Sequence, residues 1–285
     1  MKIEIENLSF RYQTYNTSVR DTLSAIHLRI CQGEFVALVG PSGSGKTTLM
    51  QHLTGLLKPD SGRVLIDNID IWDKRTNLTS LRKKIGLVFQ FPEKQLFEDT
   101  VYAEIAFGPK NLAFVRSEIE QRVQWAMQQV ELDFEHFQAR SPYHLSEGEK
   151  RRVAIASILA MDPGCLILDE PTASLDRSGV RAISNILKKV QTKGKTVILI
   201  SHNLDLVYAL ADRIVVINQG KISFDGKRDR LFENQKILTE NGLTIPRIWP
   251  VITSLNSQRV IDSRTIYSLD DLKNEISKAF GHDLK

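Results

Sequence analysis

A glycine-rich loop that ends in lysine and threonine is the strongest chemical signal in the sequence. The pattern G-x-x-x-x-G-K-[ST] is met by Gly40-Pro41-Ser42-Gly43-Ser44-Gly45-Lys46-Thr47, between a short apolar run and a stretch of helical periodicity. Glycines let backbone N–H groups close around phosphate oxygens, and the N-terminus of the following helix adds a positive dipole. We predict that this loop and the adjoining Thr48 bind a nucleotide, with Lys46 on the β- and γ-phosphates and Thr47 on Mg²⁺.

Two acids end a second apolar run, Cys165-Leu166-Ile167-Leu168. The C-terminal ends of parallel strands line the ligand crevice of an α/β sheet. We therefore expect Asp169 to meet Mg²⁺ through water and Glu170 to polarise an attacking water. Such a pair on its own is most simply a solvated strand end, but downstream of a phosphate-binding loop it indicates a hydrolytic site.

A polar segment before a helical stretch forms a third candidate. In Leu145-Ser146-Glu147-Gly148-Glu149 the Ser-x-x-Glu spacing is a capping box. The simplest interpretation is a well-capped helix start, and such a start also attracts anions.

The elements that must position these residues are short buried strands alternating with helices. The apolar runs that predict strands are Phe35–Val39, Cys165–Leu168, Thr196–Ile200 and Ile214–Ile217. Helical periodicity is found in Arg116–Leu132, Glu147–Met161 and Gly179–Gln191. This alternation predicts an α/β fold with a mostly parallel sheet. Half-buried patterns in Met1–Phe10, Leu23–Ile30 and Lys221–Phe224 predict an antiparallel β flank.

Composition limits the cellular setting. The 285 residues are 42% hydrophobic and 25% charged, with a net charge of +4, which excludes disordered and fibrous classes and indicates no nucleic-acid partner. The N-terminus lacks an apolar signal core, and no stretch approaches the roughly 20 apolar residues that span a bilayer. Any membrane contact is expected through partners, with the protein peripheral on the cytoplasmic side. Cys31 and Cys165 are expected to be buried free thiols.

The ordered motifs resemble the ATP-binding-cassette (ABC) ATPases over about residues 1–235. The resemblance is carried by the loop, then LSEGE with KRRVAIASILA, then LILDEPTASLD, and finally ISH. It implies a P-loop core with an inserted helical subdomain at about residues 91–163. It leaves residues 236–285 as a small C-terminal extension that ends in an amphipathic helix, Leu269–Phe280.

The resemblance also implies roles for individual residues. Tyr12 matches the aromatic that stacks on adenine, and Gln90 matches the glutamine that binds Mg²⁺ and senses a partner. His202 matches the histidine at the γ-phosphate. Ser146 and Gly148 match the signature motif, which contacts the γ-phosphate held by another subunit. The predicted catalytic residues are therefore Glu170, His202 and Lys46, and the predicted Mg²⁺ ligands are Thr47, Gln90 and Asp169.

The signature departs from the usual L-S-G-G-Q at two positions, Glu147 and Glu149. A carboxylate at position 147 repels a γ-phosphate unless it points outward. Because the signature acts in trans, the resemblance implies a homo- or heterodimer with a second ABC ATPase subunit. The segment Ser174-Leu175-Asp176 matches the D-loop of the family.

The stretch FQFPEKQLFEDTVYAEIAFGPKNL most resembles the ATPase A components of energy-coupling-factor (ECF) importers of vitamins or transition-metal ions. That resemblance implies a transmembrane T component docked here and a substrate-binding S component. Simple core packing of a helical subdomain is the alternative interpretation. The apolar residues concerned are Phe91, Leu96, Phe97, Val101, Ile105 and Phe107.

Two alternatives stay open at this point. One is the ATPase of another ABC transporter class. The other is a soluble DNA-repair or chromosome-organising ABC ATPase, which requires a long coiled-coil or zinc-bearing insertion. Only about a hundred residues separate Gly45 from Ser146, with no heptads and no cysteine pairs, which argues against the second alternative.

Overall fold

The computed structural model describes residues 1–12, 21–258, 260 and 266–280, without the side chains of residues 81, 82 and 280. Within those ranges the strands are β1 (Ile3–Phe10), β2 (Leu23–Ile30), β3 (Phe35–Val39), β4 (Ser61–Ile66), β5 (Ile69–Asp70), β6 (Ile85–Val88), β7 (Cys165–Asp169), β8 (Thr196–Ile200), β9 (Arg213–Asn218) and β10 (Lys221–Lys227). The α-helices are α1 (Lys46–Leu53), α2 (Leu78–Arg82), α3 (Val101–Asn111), α4 (Arg116–Gln129), α5 (Phe134–Phe137), α6 (Glu147–Leu159), α7 (Arg177–Thr192), α8 (Leu204–Leu210), α9 (Arg228–Phe232), α10 (Gln235–Glu240), α11 (Trp249–Ser257) and α12 (Leu269–Phe280).

The central sheet has the strand order β10-β9-β3-β8-β7-β6. Its pairs are parallel except for the β9–β10 hairpin. Every residue of β3, β7 and β8 is buried, which explains why these strands are continuous apolar runs rather than alternating ones. The parallel arrangement brings the loops after β3, β6, β7 and β8 to one end of the sheet. The predicted α/β fold with a mostly parallel sheet is confirmed.

A second, antiparallel sheet in the order β2-β1-β4-β5 forms the predicted β flank. The prediction that Lys221–Phe224 belongs to this flank was wrong, because β10 pairs with β9 at the edge of the central sheet. Gln219 and Gly220 have φ of 49° and 74° and form a two-residue turn, with Asn218 opposite Lys221. Such a turn returns the chain directly onto the preceding strand.

Two hydrophobic cores use opposite faces of the central sheet, and single strands divide their side chains between them. In β3, Phe35, Ala37 and Val39 belong to the larger core, while Val36 and Leu38 belong to the smaller one. The flanking sheet and α1 contribute to the smaller core. Helices α3, α4, α6 and α7 contribute to the larger core.

The C-terminal helices also pack on the larger core. Ile252 in α11 and Leu272 in α12 are buried there, and the Tyr208 hydroxyl of α8 donates to the Ile266 carbonyl oxygen at 3.0 Å. The predicted helix Leu269–Phe280 is confirmed. A domain boundary at residue 235 stays a prediction, since the segment beyond it shares the core of the segment before it.

The two cysteines differ in burial. Cys165 in β7 is buried as predicted, and burial raises the pKa of its thiol. Cys31 is exposed, so the prediction of burial was wrong there. It follows the last residue of β2, where the chain leaves the flanking sheet in a turn through Gly33, which has a φ of 77°.

Candidate active site

The glycine-rich loop joins β3 to α1, in the predicted setting. Gly40 has a φ of 143°, and a β-carbon there would lie 2.0 Å from the Ile217 carbonyl oxygen of β9. Gly45 has a φ of 108°, and a β-carbon there would lie 2.8 Å from the Thr22 carbonyl oxygen. Helix α1 begins at Lys46, so its positive end faces the loop. Packing against both sheets therefore requires glycine at these two positions.

The Lys46 ammonium lies within the loop. Its Nζ donates to the carbonyl oxygens of Gly40 at 2.9 Å and Pro41 at 2.8 Å, and lies 3.4 Å from Ser44 Oγ. Burial lowers the pKa of Lys46, while two nearby carboxylates oppose that shift. A bound phosphate would replace the carbonyls as acceptor, because an ionised oxygen accepts the stronger hydrogen bond.

Thr47 and Asp169 bring a hydroxyl and a carboxylate together at the base of the loop. Thr47 Oγ1 donates to Asp169 Oδ2 at 3.1 Å. They meet because β7, which ends at Asp169, is separated from β3 only by β8. Burial raises the pKa of Asp169, the Thr47 hydrogen bond opposes the shift, and the charge of Glu170 adds to it. This carboxylate is therefore poorly solvated and would gain from a cation.

Glu170 is fixed by the residues that follow β8. Its Oε1 accepts a hydrogen bond from the His202 backbone N–H at 2.9 Å and lies 2.7 Å from His202 Nδ1. Its Oε2 accepts from Ser201 Oγ at 3.1 Å. Glu170 is 9% exposed, whereas the His202 side chain is 76% exposed. The carboxylate is thus held in place while the imidazole extends outward.

One cavity of about 460 Å³ collects most of the predicted site residues. Pro41 does not line it and instead offers its carbonyl to Lys46. Ser146 and Gly148 do not line it either. The predicted residues that do are Tyr12, Gly40, Ser42, Gly43, Ser44, Gly45, Lys46, Thr47, Thr48, Gln90, Asp169, Glu170 and His202.

Tyr12 forms part of the cavity wall. Its hydroxyl lies 3.3 Å from Thr48 Oγ1 and donates to Gln51 Oε1 at 3.2 Å, and its ring packs edge-to-face on Phe10 at 4.9 Å. The residue is 44% exposed. The partly exposed ring in the cavity wall is in reach of a planar group such as a base.

The signature residues lie in a separate cavity of about 440 Å³. Ser146 and Gly148 line it together with the D-loop, Ser174-Leu175-Asp176. The Ser146 hydroxyl donates to Glu149 Oε2 at 2.7 Å within the predicted capping box. These residues are therefore apart from the glycine-rich loop of the same chain.

The two unusual signature acids have different surroundings. The Glu149 carboxylate is tied to Ser146, and those hydrogen bonds lower its pKa. The Glu147 side chain is 67% exposed and pairs with Lys150 at 3.3 Å. Glu147 also lines the signature cavity, where Lys150 offsets part of its charge.

The apolar residues after Gln90 differ in burial: some lie in the larger core and others line a surface cavity. Leu96, Val101 and Ile105 are buried in the larger core. Phe97 and Phe107 are 54% and 41% exposed and pack edge-to-face at 4.9 Å. Both phenylalanines line a cavity of about 330 Å³, which we call the helical groove, together with Pro92, Gln95, Leu96, Gly108, Leu112, Ala154, Ile158 and Met161 among others.

Sequence reasoning missed two sets of residues around the site. Ser201 donates a hydrogen bond to Glu170, and the only sequence feature that pointed to Ser201 is its position next to His202. Arg151 and Glu93 form a buried ion pair at 2.8 Å between the signature helix and the groove wall. In the sequence, Arg151 belongs to a Lys-Arg-Arg run that suggests a solvated helix face.

Comparisons with known proteins agree with this geometry. Residues 23–173 match the family model described as ABC transporter. An energy-coupling factor transporter ATP-binding protein of Clostridium tetani is 44% identical over 283 residues, covering 99% of this chain and 98% of the relative. A second, from Methanocaldococcus jannaschii, is 39% identical and covers 96% of both chains.

Solved structures give the same picture. The structure of cbiO1 from Clostridium perfringens, described as part of the ABC transporter complex cbiONQ, is 37% identical with a TM-score of 0.74, covering 88% of this chain and 98% of that one. The dimeric ATP-binding cassette MJ0796 bound to ADP and Pi is 32% identical with a TM-score of 0.70, covering 79% of this chain and 98% of that one.

The fold and the site define an ATP-binding-cassette ATPase, and the chain belongs to that family. Its activity is ATP hydrolysis coupled to transport. Within the family, it is an A component, the ATP-binding subunit, of the energy-coupling-factor type.

Proposed function

We propose that this chain energises the import of a vitamin or a transition-metal ion by an ECF-type complex, as a peripheral protein on the cytoplasmic side of the cell membrane. The observation that supports the proposal is the helical groove. This largely apolar cavity is near the ATP site, and Phe97 and Phe107 in its wall are exposed to solvent. Among the described helices, none is long and apolar enough to cross a bilayer. In this proposal a transmembrane T component docks in the groove, and an S component binds the substrate.

The groove suits an amphipathic helix of the T component. Its exposed phenylalanines supply the large apolar contacts that such helices use as anchors. At its rim, Glu104 is 6% exposed, and its Oε2 accepts the backbone N–H groups of Phe97 at 3.0 Å and Glu98 at 2.9 Å. This carboxylate holds the Phe97 loop in place for docking.

The residues at the base of the loop fit Mg²⁺. Thr47 supplies a hydroxyl and Asp169 a carboxylate, and the Gln90 amide lines the same cavity. Among the described residues, no group of three or more His, Cys, Asp or Glu side chains forms a metal cluster. A site with one carboxylate is the type in which Mg²⁺ keeps water and takes phosphate oxygens of the nucleotide. There the ion would neutralise charge on the β- and γ-phosphates.

The protein side chains then divide the work of hydrolysis. Lys46 turns from its loop carbonyls to the phosphates, and Tyr12 stacks on the adenine. Glu170 orients the attacking water and takes up its proton, while His202 contacts the γ-phosphate. Ser146 and Gly148 close the site of a second ATPase subunit, because in their own chain they line a different cavity.

Co-purification from membranes tests the groove. We expect Phe97→Ala with Phe107→Ala to remove the T component from the purified complex while ATP binding by the chain is retained. Val115→Ala, at an apolar position that is 61% exposed, serves as the control and should leave the complex intact. Retention of the T component by the double variant would assign these rings to packing alone.

A further inference from the structure

A buried arginine connects three segments around the active site. Arg151 lies in α6, and its side chain is 1% exposed. Its Nε and Nη2 donate to the two carboxylate oxygens of Glu93 at 3.0 and 2.8 Å, and that side chain is 5% exposed. Its Nη1 donates to the carbonyl oxygens of Pro171 at 3.2 Å and Ala173 at 2.6 Å. One guanidinium thus makes four hydrogen bonds to two other segments.

The three segments belong to the groove wall, the loop after Glu170 and the signature helix. Glu93 lies in the 3₁₀ turn Pro92–Gln95, which begins two residues after Gln90, and both ends of that turn line the helical groove. Pro171 and Ala173 follow Glu170 and lead into the D-loop. Arg151 itself follows the signature residues along α6. The guanidinium is therefore a direct contact between the groove wall and the loop that carries Glu170.

The backbone on both sides is in a conformation that needs support. Phe91, Glu170 and Ser174 have φ of 55°, 47° and 62°, in the left-handed region that residues other than glycine rarely occupy. Phe91 lies two residues before Glu93, and the other two bracket Pro171–Ala173. Such conformations persist only where surrounding contacts hold them. The hydrogen bonds of Arg151 supply contacts of this kind on both segments.

A buried ion pair is in general weak evidence for a role in stability. Buried ion pairs lose hydration, and well-packed apolar residues of similar volume often replace them without loss of stability. The bidentate geometry with Glu93 also demands arginine, since lysine presents a single point charge. The Arg151–Glu93 pair fixes the position of the Pro92–Gln95 turn relative to α6.

We propose that Arg151 is a positioning residue that links the helical groove to Glu170. A helix seated against Pro92–Gln95 shifts Glu93, and Arg151 passes that shift to Pro171 and Ala173, and so to the catalytic carboxylate. The inference rests on the proposed function, because it takes the groove as the docking site of the membrane partner.

The test compares variants in the assembled membrane complex. Arg151→Lys removes the bidentate contact, and the double variant Arg151→Met with Glu93→Leu replaces the pair by apolar side chains. We expect kcat for ATP hydrolysis to fall by about tenfold or more while KM for ATP changes by less than about twofold, because the base is misplaced and the nucleotide contacts are not.

A matched control separates positioning from stability. Arg213 is also bidentate, to Asp225 at 2.6 and 2.7 Å, and donates to the Arg29 carbonyl oxygen at 2.8 Å, at the far edge of the central sheet. Arg213→Lys should lower the melting temperature without changing kcat. If both Arg151 variants assemble and keep kcat within about twofold of the unaltered complex, the role is structural and the proposal is overturned.

A second readout is independent of the membrane partner. In the isolated chain with ATP, Arg151→Lys should speed amide hydrogen exchange in residues 170–176 relative to Arg213→Lys, because the loop loses two hydrogen bonds. Unchanged exchange in that loop would also overturn the proposal. If the unaltered chain fails to recruit a membrane partner, the proposed function fails, while hydrogen exchange still decides whether Arg151 holds the Glu170 loop.

Discussion

At the scale of single residues, the site is arranged around charges that are fixed before nucleotide binds. Glu170 accepts hydrogen bonds from Ser201 and from the His202 backbone, so its orientation does not depend on substrate. Asp169 is held by Thr47 but is poorly solvated. Preorganised groups of this kind stabilise a transition state without reorganising during the reaction.

Glu170→Gln tests the assignment of the base. The amide keeps the shape and can still accept from Ser201, but it cannot take a proton from water. We expect hydrolysis to fall by about a hundredfold or more, while ATP binding is retained and an ATP-bound dimer accumulates. Turnover assays and size-exclusion chromatography with ATP measure both effects. Glu131→Gln, at an exposed carboxylate paired with Lys189, is the control. An unchanged rate in Glu170→Gln would remove Glu170 from this role.

The raised pKa of Asp169 makes a prediction for stability against pH. A carboxyl whose pKa is higher in the folded state costs stability as pH rises above its ordinary value of 3.8, because the folded state resists ionisation. Asp169→Asn should therefore melt at a higher temperature than the unaltered protein at pH 7 without nucleotide. The gain should shrink as the pH is lowered toward 3.8.

Asp67 provides the opposite case for the same measurement. Its hydrogen bond to Lys84 lowers its pKa, so Asp67→Asn should reduce the melting temperature at pH 7, with the difference fading in acid. An Asp169→Asn protein that is less stable than the unaltered one at pH 7 would show that burial is not the dominant influence on this carboxylate.

At the scale of elements, the glycine-rich loop is confined between the two sheets. A β-carbon at Gly40 would collide with the backbone of β9, whereas one at Gly43 would meet nothing within 4 Å. Both residues have positive φ, so both substitutions cost backbone strain. Only the first also forces the loop and the strand apart.

These two glycines therefore predict different outcomes for the same substitution. Gly43→Ala should cost about 1–2 kcal/mol in the free energy of unfolding, the usual cost of a left-handed alanine. Gly40→Ala should cost clearly more and weaken ATP binding, since α1 must shift relative to β9. Chemical denaturation and nucleotide titration measure the two effects. Equal costs at both positions would mean that the loop relaxes freely.

The sequence predicts an element well when the pattern that indicates it lies within a few adjacent residues. The strand Phe35–Val39, the loop after it and the acids after Cys165 each follow from a few adjacent residues, and the structure places them in one cavity. Lys221–Phe224 was assigned to the wrong sheet because its alternating pattern fits either sheet, whereas the turn at Gln219 and Gly220 pairs it with β9. Cys31 looked buried because it follows a strand, but the strand ends one residue earlier.

The Arg151–Glu93 pair shows where sequence reasoning ends. Its partners are 58 residues apart, and neither position differs locally from a solvated charge. Only the packing of α6 against the turn after Gln90 buries them together. The helical groove was predicted in part for a similar reason: the apolar residues were evident, but which of them are exposed depends on tertiary packing.

At the scale of the whole molecule, the predicted site residues lie in two separate cavities. The glycine-rich loop and the signature cavity have different lining residues and no shared side chain. The similar cassette MJ0796 is a dimer in its structure with ADP and Pi. In the function that we propose, a second ATPase subunit brings its signature residues to the glycine-rich loop of this chain. On that proposal the single chain binds ATP, and hydrolysis requires the dimer.

The most direct test measures ATP turnover and ATP binding per chain on the same samples. Light scattering would establish the oligomeric state at each concentration. We expect the dilute, monomeric chain to bind ATP but to turn it over slowly. Turnover per chain should then rise when the chain is concentrated or assembled with its second ATPase subunit, while ATP bound per chain stays constant. Full turnover by a chain shown to be monomeric would show that hydrolysis does not need the signature residues of a second subunit.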